Sequence, residues 1–254
     1  MLTTSSEPRL RNKLAIVTGA NRGIGLASIR KLASEGCNLI TLTRKPSDKF
    51  TQEVNSLSKK YGISVDLQSL DLNDHSSINQ VVKNLVAQKA KIDILVNNAG
   101  LSSGSLIHMT GNVNLREVFE TNFFGPFFLT QSISKLMAKS GGGSIVNISS
   151  VSAFRAQSGT VAYGASKSAF SYACEVLALE LADKNIRVNS IAPGLIDTDM
   201  LNEMEDKAKN NMLSRIAMGR FGLADEVADL VVFLAGSQSS YISGTTINID
   251  GALR

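Results

Sequence analysis

The stretch LAIVTGANRGIGLASIRKLAS, residues 14–34, decides the fold. Its first five residues, Leu14–Thr18, form a short apolar run that ends at Gly19 and predicts a buried strand. A helical pattern then runs from Gly23 to Ser34. A buried strand that turns sharply into a helix is the opening of a layered α/β domain.

The turn between this strand and this helix is rich in glycine. Glycine lets a backbone turn tightly and approach a pyrophosphate, and a helix N-terminus offers free N–H groups and a favourable dipole. The spacing G-x-x-x-G-x-G differs from the commoner G-x-G-x-x-G, so a dinucleotide cradle and an ordinary glycine-rich turn both remain open. The candidate phosphate-binding residues of this turn are Gly19, Asn21, Arg22, Gly23, Ile24 and Gly25.

Strand and helix patterns alternate along the rest of the chain. This alternation predicts one doubly wound, Rossmann-like α/β domain over residues 1–254, with helices on both faces of a parallel sheet and the site at the carboxyl ends of its strands. Residues 1–12 are expected to form a polar tail, and residues 197–222 a substrate lid. The further predicted elements are strands Asn38–Thr43, Val65–Leu70, Ile92–Asn97, Ser144–Ser149, Arg187–Ala192 and Thr246–Ile249, and helices Asp74–Gln88, Val113–Ala138 and Thr160–Asp183.

Composition excludes several classes of protein. With 43% hydrophobic and 19% charged residues the chain is typical of a globular protein, and no apolar run approaches the ~20 residues that span a bilayer. The net charge of +4 is scattered, which argues against nucleic-acid binding. Cys37 and Cys174 show no metal-ligand or disulfide spacing, and the N-terminus lacks a secretion signal. We therefore expect a cytoplasmic protein without a metal, a membrane or a nucleic-acid partner.

A second stretch, SVSAFRAQSGTVAYGASK at residues 150–167, carries candidate chemistry. On a helix, Tyr163 and Lys167 lie one turn apart on the same face. A nearby ammonium favours the phenolate and lowers the pKa of the tyrosine towards neutrality, so Tyr163 could act as an acid. Ser150 could hydrogen-bond the oxygen of a carbonyl substrate. The alternative is a solvated helix face, on which Tyr-x-x-x-Lys is common.

Other polar residues stand at predicted strand ends. Thr43 and Arg44 occupy the place where a carboxylate would bind the ribose of NAD, and Arg44 with Arg22 could hold a 2′-phosphate, which favours NADPH over the alternative of two solvated arginines. Asp71 is either an adenine ligand or a helix cap. Asn122 falls inside a helical pattern, where it either interrupts the helix to hold water or Lys167, or is simply tolerated.

Together these residues resemble the short-chain dehydrogenase/reductase family over nearly the whole chain. The matching segments are Thr18-Gly19-x-x-x-Gly23-Ile24-Gly25, Asp71, Asn97-Asn98-Ala99-Gly100, Asn122, Ser150, Tyr163-x-x-x-Lys167 and Pro193-Gly194-x-x-x-Thr198. The resemblance implies a catalytic tetrad of Asn122, Ser150, Tyr163 and Lys167, and usually a homotetramer. It also implies cofactor contacts from Tyr163, Lys167, Leu72, Asn98, Ala99, Gly100, Pro193, Gly194, Ile196 and Thr198.

Within that family the chain looks most like the 3-oxoacyl-[acyl-carrier-protein] reductases, from NNAG, ETN, GRFGLADEVADLVVFLAG and YISGTTINIDG. This implies NADPH-dependent reduction of a 3-oxoacyl thioester in fatty acid biosynthesis and an acidic carrier protein as partner. Lys184 fits one basic position beside the site, whereas Gly141–Gly143 is uncharged where a basic residue is expected. The alternatives are an NAD(P)-dependent dehydrogenase or reductase of a sugar, steroid or small ketone, and a catalytically silent cofactor-binding scaffold.

Overall fold

Seven parallel strands form one sheet in the computed structural model, which describes residues 8–197 and 206–254. Their order across the sheet is β3-β2-β1-β4-β5-β6-β9, and Ala15 of β1 pairs with Leu39 on one side and Ile94 on the other. Strands β7 and β8 pair separately, in parallel. The strands are β1 Leu14–Thr18, β2 Asn38–Thr43, β3 Val65–Ser69, β4 Ile94–Asn97, β5 Gly143–Ile148, β6 Ile186–Pro193, β7 Ile196–Asp197, β8 Gly222–Leu223 and β9 Thr246–Ile249.

Helices cover both faces of the sheet. The α-helices are α1 Gly23–Ser34, α2 Asp48–Tyr61, α3 His75–Ala87, α4 Asn112–Phe119, α5 Gly125–Lys139, α6 Val161–Leu181, α7 Asp206–Leu213 and α8 Ala224–Ala235. Helices α1, α2 and α8 contribute to one apolar core, and α3, α5 and α6 to the other. The predicted doubly wound α/β architecture is therefore confirmed.

Strand β1 shows why the sheet is buried on both sides. Side chains alternate across a strand, so Ala15 and Val17 enter one core while Ile16 enters the other. All three are fully buried. An apolar run without polar alternation is what a parallel strand between two helical layers requires.

The region before β1 differs from the polar tail that the sequence predicts. Leu10 is only 2% exposed and belongs to the core that α1 lines, while its amide donates to the Glu35 carbonyl at 3.1 Å. Arg9 forms an ion pair with the Glu35 side chain. Residues 8–12 are thus packed against the end of α1, because one apolar residue among polar neighbours suffices to anchor the segment; residues 1–7 lie outside the described part.

The predicted lid, residues 197–222, is described only in part, since residues 198–205 fall outside the described ranges. Its two ends meet where β7 pairs with β8, with Asp197 opposite Leu223. Arg220 pairs with Glu226 of α8 at 2.7 Å, and this guanidinium holds the pKa of the Glu226 carboxyl at about 2. Both ends of the segment are therefore tied to the main domain.

In the described ranges, no helix has both the length and the apolar character needed to cross a membrane. The same residues contain no group of three or more His, Cys, Asp and Glu side chains placed to hold a metal ion. Cys37 and Cys174 are both buried free thiols.

Candidate active site

The glycine turn lies where the strand order reverses, between β1 and its neighbours β2 and β4. Gly19 has a φ of 64°, and a Cβ on Gly25 would lie 2.2 Å from the Gly19 carbonyl oxygen. Arg22, the N-cap residue of α1, makes no capping hydrogen bond with its side chain. The turn is thus compact, and the helix N-terminus presents N–H groups to the crevice at the carboxyl ends of the strands.

The polar turn after β4 is hydrogen-bonded to the glycine turn and to the end of β1. The Thr18 hydroxyl accepts hydrogen bonds from the backbone N–H groups of Asn98 and Ala99, both at 3.0 Å. The Asn98 side chain donates to the Thr18 carbonyl at 2.9 Å and to the Gly19 carbonyl at 3.1 Å. Both donor hydrogens of Asn98 are therefore used in joining the two turns. Asn98 thus fixes the shape of the glycine turn.

The candidate adenosine side of the crevice is basic. Thr43, at the end of β2, is buried, and Arg44 and Arg22 are both exposed. Neither guanidinium pairs with a carboxylate within residues 8–197 and 206–254. Two unneutralised cations beside a glycine turn suit an additional phosphate.

Asp71 and Leu72 follow β3 in the same region. One carboxylate oxygen of Asp71 accepts from the Asn73 N–H at 3.0 Å, as a local turn would require. Leu72 is 6% exposed, and its side chain belongs to the core. The Leu72 side chain is therefore taken up by the core and its carbonyl lies against Gly125, while one Asp71 carboxylate oxygen is used by the local turn.

Helix α6 carries Tyr163 and Lys167 against the turn that follows β5. The Lys167 ammonium donates to the Ile148 carbonyl at 2.7 Å, two residues before Ser150. A Cβ on Gly164 would lie 2.7 Å from the Ser152 carbonyl oxygen, so glycine lets the helix approach this turn closely. The Ser150 hydroxyl accepts from the Ser152 N–H at 3.2 Å and lies close enough to the Tyr163 phenol to affect its pKa. The structure therefore brings Ser150, Tyr163 and Lys167 together.

The protonation of this pair differs from the sequence-based expectation. Burial raises the pKa of Tyr163, and the nearby Ser150 hydroxyl, which favours the phenolate, opposes this to a lesser extent. Burial likewise lowers the pKa of Lys167, to about 8. The prediction that Lys167 lowers the pKa of Tyr163 is not met in this arrangement, because burial disfavours the charged forms of both groups.

The Lys167 pKa predicts a pH-dependent stability. Between pH 8 and the unfolded-state value of 10.5 the folded chain has lost a proton that the unfolded chain keeps, so stability should rise with pH. Two proteins that both carry Tyr163→Phe are compared, one with Lys167 and one with Lys167→Met. Over this pH range the free energy of unfolding of the first should rise by at most about 3 kcal/mol relative to that of the second. Urea unfolding at pH 7.5, 9 and 10.5 measures the difference, and a constant difference would contradict it.

Asn122 lies in a π-helical turn, Glu120–Phe124, between α4 and α5. The predicted interruption of the long helical pattern is thus present. Its side-chain oxygen accepts from the Leu101 N–H at 2.8 Å, and its amide donates to the Leu101 carbonyl at 2.9 Å and to the Ser166 hydroxyl at 3.0 Å. One acceptor position remains on this oxygen for a water molecule.

Gly100 lies beside both Asn122 and Lys167. A Cβ on Gly100 would lie 3.2 Å from the Lys167 nitrogen and 3.3 Å from the Asn122 side-chain oxygen. Ser166 also donates to the Tyr163 carbonyl at 2.8 Å while it accepts from Asn122. All four predicted catalytic residues therefore meet at one edge of the sheet.

The comparisons with known proteins decide the family. The family model described as Enoyl-(Acyl carrier protein) reductase matches residues 19–253. The chain belongs to the short-chain dehydrogenase/reductase family. Curated relatives of this short-chain dehydrogenase/reductase include the 3-oxoacyl-[acyl-carrier-protein] reductases of Thermotoga maritima, 39% identical over 96% of the chain and 99% of the relative, and of Aquifex aeolicus, 36% identical over 97% and 99%.

Solved structures of family members have folds closely similar to that of this chain. The L-sorbose reductase of Gluconobacter frateurii, solved with NADPH and L-sorbose, has a TM-score of 0.90 at 27% identity, over 97% of this chain and 98% of that one. A variant of a Serratia marcescens short-chain dehydrogenase/reductase has a TM-score of 0.89 at 33% identity, over 96% and 98%. As a member of this family the chain is an oxidoreductase that acts on alcohol or carbonyl groups.

The residues predicted for the nicotinamide side of this short-chain dehydrogenase/reductase lie at the end of β6. Pro193 ends the strand, and a Cβ on Gly194 would be 2.7 Å from the Asp250 Cα, so the backbone after β9 packs directly on it. Ile196 lies in β7 and packs on the core that α1 lines. Thr198 falls outside the described residues.

Two residues of the site were missed at the sequence level. Ser166 is fully buried and links Asn122 to the backbone of Tyr163, and Gly164 lets α6 approach the Ser150 turn. The only signal for either was the run of small residues between Tyr163 and Lys167. Small residues on a buried helix face mark close approach of another backbone.

Proposed function

We propose that this chain is an NADPH-dependent carbonyl reductase that converts a 3-oxoacyl thioester to its 3-hydroxy product. The observation that carries the proposal is the cluster of Asn122, Ser150, Tyr163 and Lys167 beside the glycine cradle. The substrate class is supported by the curated relatives at 34–39% identity, which are 3-oxoacyl-[acyl-carrier-protein] reductases.

The site residues fit a dinucleotide. Gly19 and Gly25 let the glycine turn pack closely on itself and on Asn98. The N-terminus of α1 and the cations Arg22 and Arg44 would hold phosphate groups. Asp71, Gly100 and the backbone after β6 would hold the remaining parts. The cofactor supplies a hydride to the carbonyl carbon when bound.

Residues of the chain itself would bind the substrate oxygen and transfer the proton. Ser150 hydrogen-bonds this oxygen and Tyr163 protonates it, so the raised pKa of Tyr163 keeps a proton on the phenol until transfer. Lys167 then stabilises the phenolate that forms, and the free acceptor of Asn122 orients a water that returns the proton.

Cofactor preference is tested by Arg44→Ser. We expect this change to weaken NADPH binding roughly 10- to 100-fold and to leave NADH binding within about twofold, because it removes one charged contact to the 2′-phosphate. Lys59→Ser, at the other end of α2, removes an exposed charge as a control. Fluorescence titration of both cofactors makes the measurement, and equal losses for NADPH and NADH would contradict it.

The proposed reaction is tested by turnover of purified protein with an acetoacetyl thioester, linked to acyl carrier protein where possible, beside L-sorbose and a simple ketone. We expect fast, NADPH-specific reduction of the thioester. Reduction of L-sorbose alone would favour the second candidate, a sugar reductase, which the structural likeness to L-sorbose reductase motivates. A catalytically silent scaffold is supported if no compound is reduced.

We also propose an acidic acyl carrier protein as the partner that delivers the substrate. Gly142 and Gly143 pack so closely on Asn185 and Asp93 that side chains are excluded at these two positions. The Lys184 ammonium pairs with Asp183 at 2.7 Å. An acidic carrier protein would have to displace that pair. Binding of acyl carrier protein to wild type and Lys184→Glu tests this contact.

A homotetramer, in the cytoplasm, is the assembly that we propose. Tyr172, Val176 and Leu179 form an exposed apolar stripe on α6, with Leu179 81% exposed. Sedimentation equilibrium tests the assembly, and a monomer at micromolar concentration would refute it.

A further inference from the structure

A small third apolar cluster lies apart from the two cores, close to the Ser150 turn. Its buried members are Val151, Ile216 and Leu253, which we call the rim cluster. Leu195, Leu213 and Phe221 pack on it. The cluster therefore joins four segments: the turn after Ser150, the loop after β6, the end of the 206–221 segment and the C-terminal residues.

Backbone hydrogen bonds tie two of these segments together. The Met218 N–H donates to the Gly251 carbonyl at 3.1 Å, and the Arg254 N–H donates to the Arg215 carbonyl at 2.8 Å. Ile216 and Leu253 also form an antiparallel bridge. The C-terminal residues 250–254 thus act as a strut for the far end of the predicted lid.

One side chain connects this strut to the Ser150 turn. The Arg155 guanidinium donates to the Leu253 carbonyl and lies 3.1 Å from an Asp250 carboxylate oxygen. Asp250 is 10% exposed, and its other oxygen accepts from the Ala252 N–H at 3.0 Å. Asp250 also packs on Gly194, beside the candidate nicotinamide loop. Arg155 therefore contacts the strut at two points from five residues beyond Ser150.

We propose that Arg155 is a positioning residue that, through Asp250 and the Leu253 carbonyl, holds the far end of the 206–221 segment at a set position relative to Ser150. This inference rests on the proposed function in that the space between these segments receives the ketone. Arg155 itself does not touch the reacting groups. Arg155 affects how tightly the ketone is held, because the 206–221 segment that it anchors borders the proposed ketone site.

The kinetic test uses Arg155→Met, Asp250→Asn and the double variant. We expect Arg155→Met to raise the KM for the ketone roughly tenfold, with kcat and the KM for NADPH changed less than about twofold. Asp250→Asn keeps the bond to Ala252 and removes the charge. The double variant should match Arg155→Met, because the two side chains act as one unit.

The matched control is Arg30→Met. Arg30 is 51% exposed in its side chain, close to the 45% of Arg155, and pairs with Glu53 at 2.7 Å on the far side of α1. A general loss of one surface ion pair would affect both variants alike. Equal ketone KM values for Arg155→Met and Arg30→Met, or independent effects of the Arg155 and Asp250 changes, would overturn the proposal.

A second measurement does not depend on turnover. Amide hydrogen exchange of Met218 and Arg254 should be at least about fivefold faster in Arg155→Met than in Arg30→Met, since both amides bridge the strut and the lid. Arg155→Lys, which keeps one donor, should give an intermediate rate and serves if Arg155→Met does not fold. If wild type reduces no ketone, the proposed function fails while exchange still decides the role of Arg155: unchanged exchange would refute it.

Discussion

Tyr163→Phe should lower kcat by at least about a thousandfold, because it removes the hydroxyl that we propose protonates the substrate oxygen. The phenyl ring keeps the packing of a partly buried side chain on α6. NADPH affinity should therefore stay within about threefold of wild type. Steady-state reduction of the thioester and a fluorescence titration of NADPH together measure these two quantities.

Tyr241→Phe is the control for this experiment. Tyr241 is fully exposed and lies outside α6, so this variant should retain wild-type kcat. Full activity of Tyr163→Phe would show that another group donates the proton. Loss of NADPH binding equal to the loss of turnover would assign the tyrosine to cofactor binding instead.

Gly25→Ala should weaken NADPH binding at least about a hundredfold, because the phosphate cradle depends on a backbone contact that any side chain breaks. The added Cβ would lie 2.2 Å from the Gly19 oxygen and 2.5 Å from the Asn98 side-chain nitrogen. A backbone atom cannot yield as a flexible side chain can, so the turn itself must shift. Fold stability should also fall by about 1–3 kcal/mol.

The matched substitution is Gly111→Ala. Gly111 has an ordinary φ of −77°, and a Cβ there would meet nothing within 4 Å, so both NADPH affinity and stability should remain close to wild type. Cofactor titration well below the unfolding temperature separates loss of the cradle from loss of the fold. Wild-type affinity in Gly25→Ala would mean that the dinucleotide binds elsewhere.

Local pattern predicted the sheet well. Strands β1, β2 and β9 and helix α1 begin and end at the predicted residues, since each is a short apolar or periodic run bounded by glycine or polar residues. The burial of Leu10 was not predicted, because a single leucine in a polar segment shows no periodicity. Its side chain packs in the core that α1 lines, and its amide bonds to Glu35, 25 residues away in sequence.

The sequence nominated the candidate site residues but not their contacts. Strand ends and helical spacing made Ser150, Tyr163 and Lys167 candidates, and the family resemblance strengthened them together with Asn122. The direction in which Asn98 points, the link that Ser166 makes and the tie from Arg155 to Asp250 were not predictable. Each depends on distances between segments far apart in the chain.

The sequence by itself determined the order of strands and helices, and it selected the glycine turn and the side chains that we propose to react, because these follow from local periodicity and from the chemistry of single residues. Only the tertiary structure decided how those side chains are charged and held. Burial raises the pKa of Tyr163 and lowers that of Lys167, against the expectation from spacing alone. Desolvation is set by everything packed around a group, and packing arises only once distant segments meet.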